Sequence, residues 1–165
     1  MQSLGIDPGT ATVGYGIVRE FDDGTLEAVD YGAIITSPAL PTWERLSLIY
    51  DSVCALVDRH QPERAAVEEL LFGKNVSTAI SVAQGRGVVL LALAQKRVHI
   101  REYKPNFVKQ SVSGYGNAKK PQIQEMVRML LTLDTVPKPD DAADALAVAI
   151  TDLYNARFDS LLDEN

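Results

Sequence analysis

The chain has 165 residues, of which 46% are hydrophobic and 23% charged, and a formal net charge of −6. This length suits one domain that buries a core of its own, and the composition excludes a disordered or fibrous chain. Asp7 interrupts the apolar N-terminus before a signal-peptide core can form, and no unbroken apolar run approaches the roughly 20 residues of a membrane helix. No membrane association is expected. Cys54 is the single cysteine; it rules out an intrachain disulfide, reads as a buried core thiol, and fits a reducing cytoplasm.

Residues 3–7 and 12–18 are apolar or alternating runs on either side of Asp7-Pro8-Gly9-Thr10, which predicts two strands joined tightly. Asp22-Asp23-Gly24 marks a second turn before a strand over 26–35, so three antiparallel strands open the fold. After a loop at 37–41, Trp43, Leu46, Ile49, Tyr50, Val53, Leu56 and Val57 recur at helical spacing and predict a core-facing helix closed by Pro62. The short apolar run 65–71, carrying Glu68 and Glu69, predicts a buried strand. Residues 75–95 are rich in Ala, Val and Leu and include Gly85 and Gly87, which predicts a long helix that approaches a neighbour closely. A strand over 98–103, a short helix over 105–112, a flexible loop over 113–117 and a helix over 121–133 follow. Pro139 and Asp140 then open a strong helix at 141–150. Strands first, then strands alternating with helices, give an α/β fold with a mixed sheet.

The charge is unevenly spread. Between residues 70 and 128, ten Lys and Arg stand against Glu102 and Glu125, a local charge of +8 that leaves −14 for the rest. Such a section is either a set of solvated helix faces or a surface for phosphates.

Four carboxylates stand in apolar surroundings. Asp7 ends a hydrophobic strand, where ionisation is costly without a partner or metal. Glu68 lies in the apolar run 65–71, and Asp141 and Asp144, three apart, project from one face of the last helix. Taken singly each has a plain structural explanation: a turn former before Pro-Gly, a strand end reaching water, a first-turn acid favoured by the helix dipole, a solvated helix residue. Their occurrence together on three hydrophobic elements points instead to hard oxygen ligands for Mg²⁺ or Mn²⁺. With only His60 and His99 and no cysteine in the set, a structural zinc site is not expected.

Leu4-Gly5-Ile6-Asp7-Pro8-Gly9-Thr10, Val67-Glu68-Glu69 and Asp141-Ala142-Ala143-Asp144-Ala145-Leu146-Ala147, with Gln84-Gly85-Arg86-Gly87 and Val108-Lys109-Gln110 between them, resemble the RuvC Holliday-junction resolvases over nearly the whole chain. The resemblance implies an RNase H-like fold with a mixed five-stranded sheet flanked by helices. One nuclease domain over 1–156 and a flexible tail over 157–165 are expected. It further implies a homodimer that resolves four-way DNA junctions in recombination and repair by symmetric paired nicks. Hydrolysis would use two Mg²⁺ per active site, with Mn²⁺ able to substitute, and leave 5′-phosphate and 3′-hydroxyl ends. Asp7 then matches the first-strand ligand, Glu68 the second carboxylate, and Asp141 and Asp144 the pair on the final helix. Asp141, where some members carry His, is either a ligand or a group that orients water. Lys109 and Lys120 match basic residues near the scissile phosphate and junction backbone, Lys119 adds charge, and Arg86 joins the expected DNA contacts. A side chain after the second carboxylate wedges against bases in this family; by count it is Leu71, whereas the aromatic is Phe72. Helix 75–95 resembles the dimer-forming helix, and the family works beside a branch-migration complex of RuvA and RuvB type.

Two other readings compete. The Asp-x-Gly-Thr turn also occurs in actin-like and sugar-kinase phosphotransferases, but those need two such domains, and a chain of 165 residues has the length of one. A DNA-binding or dimerisation module without chemistry would have no need of four carboxylates.

Overall fold

The computed structural model describes residues 1–70 and 76–163, with side chains described for 1–70 and 78–157. Three strands, β1 (Gln2–Asp7), β2 (Thr12–Glu20) and β3 (Leu26–Ile35), form an antiparallel meander. Helix α1 (Thr42–His60) returns the chain so that β4 (Arg64–Glu68) pairs parallel to β1. Helix α2 (Val76–Gln95) does the same for β5 (His99–Tyr103), parallel to β4. The sheet order is β3-β2-β1-β4-β5, the mixed five-stranded sheet that the strand pattern predicts. Helices α3 (Pro105–Ser113), α4 (Lys120–Leu130) and α5 (Asp140–Asp163) complete the chain.

Strand alternation divides the core in two. Leu4, Ile6, Ala65 and Val67 point to the face covered by α1 and α2, with Ile49, Val53, Val89 and Leu93. Ala66 and Val18 point to the opposite face, beneath α3, α4 and α5. Helix α5 lies so close to β1 and β2 that side chains cannot intervene: a Cβ on Gly5 would collide with the Ala145 carbonyl, and one on Gly14 with the Asp141 carbonyl.

Several elements differ from their predicted form. β4 stops at Glu68, short of the expected 71, and α4 stops at Leu130, short of the expected 133. There Thr132 turns the backbone to a positive φ of 52°, and Arg128 donates to the Leu133 carbonyl at 3.1 Å. Helix α5 continues to Asp163, beyond residue 156, where a tail was expected to start. Cys54 is half-buried at the margin of the core and not within it. Thr78–Gln95 is, among the described residues, the one segment long and apolar enough to cross a membrane, contrary to the expectation of none. It is nonetheless packed on α1, and its Arg86 is ion-paired to Glu102 of β5.

Candidate active site

Asp7 is the last residue of β1 and Glu68 the last of β4. The strands are parallel neighbours, so both carboxylates leave the same edge of the sheet. Asp141 and Asp144 begin α5. Gly14, which faces Asp7 across the β1–β2 pair, is the residue whose missing side chain admits the Asp141 backbone. A glycine thus seats the acidic end of the helix beside Asp7.

The turn after Asp7 is clamped from two sides. Thr36 donates to the Thr10 carbonyl at 2.6 Å, the Thr10 hydroxyl donates to the Ser81 carbonyl, and Ser81 Oγ donates to Thr10 Oγ1 at 2.9 Å. Gly85 approaches the Gly9 carbonyl where a Cβ would collide. Gly85 therefore serves a contact within the chain, whereas Gly87 faces open space.

The electrostatics tie the carboxylates together. Burial first, then the charges of Glu68, Asp144 and Asp141, push the Asp7 carboxyl up from 3.8 to about 8, with Lys120 opposing. Burial and then Asp144 raise Glu68 from 4.5 to about 7 against Lys109 and Lys120. Asp144 is also raised, chiefly by burial, although Lys120 Nζ lies 2.9 Å from its Oδ2. Carboxyls that resist ionisation through burial and mutual repulsion form a site that a cation would stabilise.

Glu68, Lys109, Lys120 and Asp144 line an open cleft of about 260 Å³, floored by Val108, Ile123 and Ala147. Among the described residues, no three acidic, His or Cys side chains are gathered closely enough to hold an ion as they stand. The donor set nevertheless fits a hard divalent ion: all oxygen, from three elements, with like charges that repel until a dication offsets them.

The remaining predicted residues divide. Lys119 is exposed at the start of α4, its N–H donating to Gln122 Oε1 at 2.9 Å. Arg86 faces inward: besides pairing with Glu102, it donates Nε to the Glu68 carbonyl at 3.3 Å, so it braces the second carboxylate's backbone. Leu71 and Phe72 lie outside the described residues. Asp140, read from sequence only as a helix start, accepts from Lys138 at 2.8 Å and lies 3.8 Å from Lys120. The hydroxyls of Thr10, Thr36 and Ser81 gave no motif, because the three are far apart in sequence.

A mixed sheet in this order, with acids at the ends of β1 and β4 and at the start of the helix crossing them, defines an RNase H-like nuclease domain. The model of the family described as crossover junction endodeoxyribonuclease RuvC matches residues 3–152. Crossover junction endodeoxyribonuclease RuvC of Chloroflexus aggregans is 59% identical over 156 residues, 94% of each chain. The solved structure of Thermus thermophilus RuvC gives a TM-score of 0.89 at 36% identity, and that protein in complex with Holliday junction substrate gives 0.87 at 34%, each covering 96% of both chains. The chain belongs to the RuvC family of crossover junction endodeoxyribonucleases, whose members generally use a divalent metal.

Proposed function

We propose that this chain resolves four-way DNA junctions by paired, symmetric phosphodiester hydrolysis that leaves 5′-phosphate and 3′-hydroxyl ends. The observation that carries the reading is the acidic cluster itself: Glu68 and Asp144 raise the pKa of buried Asp7, Asp144 raises that of Glu68, and Glu68 and Asp144 share one cleft with two lysines. The junction-bound Thermus thermophilus relative, alike over nearly the whole chain, supports the substrate.

Asp7, Glu68 and Asp144 would hold two Mg²⁺, with Asp141 either a fourth ligand or the group that orients water. When bound, such ions stabilise charge on the phosphoryl oxygens and lower the pKa of water. The chain's own residues do the rest. Lys109 and Lys120, already within electrostatic reach of Glu68, neutralise phosphate, and Lys119 extends the basic edge. Lys120 must exchange its Asp144 contact for a phosphate oxygen as DNA enters. Burial of the carboxylates keeps bulk water from competing for them.

Selectivity for a branched substrate follows from two such clefts held apart in a dimer, each meeting one strand. Ile80, Ala83, Gly87, Leu91 and Ala94 make an exposed apolar stripe along α2, which supports α2 as the dimer surface. A cytoplasmic location and a branch-migration partner of RuvA and RuvB type belong to the same reading. Asp7→Asn should abolish cleavage of a labelled four-way junction in Mg²⁺ while junction binding in EDTA persists. Undiminished cutting would refute the metal-site assignment.

A further inference from the structure

Asp152 is fully buried on α5, and both its oxygens are occupied. Ser3 Oγ donates to Oδ2 at 2.7 Å, Arg64 Nε to Oδ2 at 2.6 Å, Arg64 Nη2 to Oδ1 at 3.0 Å, and the Tyr103 hydroxyl to Oδ1 at 3.0 Å. One carboxylate thus ties α5 to β1, β4 and β5 at once. The nuclease chemistry makes no direct use of this cluster.

Its placement relates it to the site. Ser3 stands four residues before Asp7 on β1, and Arg64 four residues before Glu68 on β4. Residues four apart on a strand share a face, so each donor and its metal-site carboxylate point to the same side, toward α5. Four strand residues span about 13 Å at roughly 3.3 Å each. Asp144 and Asp152 are eight helical residues apart, about 12 Å at 1.5 Å each. The two spans match. Fixing Asp152 against Ser3 and Arg64 at one end therefore sets Asp144 level with Asp7 and Glu68 at the other.

The helix needs such a fix. Where α5 crosses β1 and β2 the contact is backbone on backbone, at Gly5 against Ala145 and at Gly14 against Asp141. Leu146 seats its side chain over Gly16 of β2 in the same strip, but apolar packing is non-directional and resists a small slide along the helix axis less than directional bonds do. Directional hydrogen bonds to a buried carboxylate supply that resistance, and a shift of about 1 Å would disturb ligand geometry for an ion as strict as Mg²⁺.

We infer that Asp152, through Ser3, Arg64 and Tyr103, is a positioning residue that sets the axial register of α5 and thereby the separation of Asp144 from Asp7 and Glu68. The inference rests on the metal-site reading above. Its test is Mn²⁺ binding by the DNA-free chain, followed by paramagnetic resonance, in wild type, Tyr103→Phe, Asp152→Asn and a stability control, Val57→Ala, in the core on the other face of the sheet. Tyr103→Phe removes one hydrogen bond and keeps the ring stacked on Phe107, so it remains folded if Asp152→Asn does not. Direct support of a ligand is worth roughly 10- to 100-fold in metal affinity; acting through a helix, Tyr103→Phe should weaken Mn²⁺ about 3- to 10-fold. Val57→Ala, matched in thermal midpoint, should leave affinity unchanged. Equal Mn²⁺ affinity in wild type and Tyr103→Phe, or equal weakening in Val57→Ala, overturns the positioning role. Absence of Mn²⁺ binding by the wild type would overturn the metal site, and the positioning role with it.

Discussion

Replacing Asp7 by asparagine should stabilise the metal-free protein above neutral pH, although it destroys the site. Asp7 is raised from 3.8 to about 8. The native state keeps a proton that the unfolded chain releases near pH 4, so metal-free stability falls as pH rises between about 4 and 8 and levels off above. Four units at about 1.4 kcal/mol each amount to a loss on the order of 5 kcal/mol. An asparagine there carries no charge but is still a buried amide, so the variant should regain only about 2–4 kcal/mol. For a domain of this size that is roughly 5–15 °C in melting temperature. The assay is thermal unfolding in EDTA from pH 5 to 9. Asp7→Asn should melt near the wild type at pH 5 and well above it at pH 8.5. Saturating Mg²⁺ should then reverse the order, because only the wild type gains binding energy. A wild type that melts at or above the variant at pH 8.5 without metal would show that burial and the neighbouring carboxylates do not disfavour the Asp7 charge as described.

Other outcomes follow from the same geometry. Lys120→Ala removes the cation 2.9 Å from Asp144; it should slow cleavage and lower the salt dependence of junction binding by about one phosphate contact, a slope change near 0.9. Arg86→Ala removes the brace on the Glu68 carbonyl and should reduce cleavage about tenfold with little change in junction affinity; an equal loss of both would make Arg86 a DNA contact instead. Leu91→Glu, on the exposed stripe of α2, should yield monomers in sedimentation and lose paired nicking.

Much of this was legible in the sequence because local signals agreed with the fold. Alternating runs around Pro8-Gly9 and Asp23-Gly24 marked the meander, and helical spacing from Trp43 to Val57 marked α1. The carboxylates stood out because ionisable groups are costly inside apolar runs. What escaped depended on partners distant in sequence. Arg86 reads as one more cation of a basic section until Glu102 and the Glu68 carbonyl are seen to hold it. Asp152 follows an apolar helical run and looks like its solvated end, and its three donors come from three separate strands. Gly85 and Gly87 look alike in sequence, yet only Gly85 touches another part of the chain. The end of α4 was misplaced because Leu131 and Leu133 continue the apolar pattern after the backbone has turned at Thr132.

The most direct measurement is incubation of the protein with a labelled mobile four-way junction and with linear duplex, each in Mg²⁺ and in EDTA. Paired, symmetric nicks should appear on the junction in Mg²⁺ alone. Equal cutting of linear duplex, or cutting that survives EDTA, would contradict a metal-dependent, junction-selective nuclease.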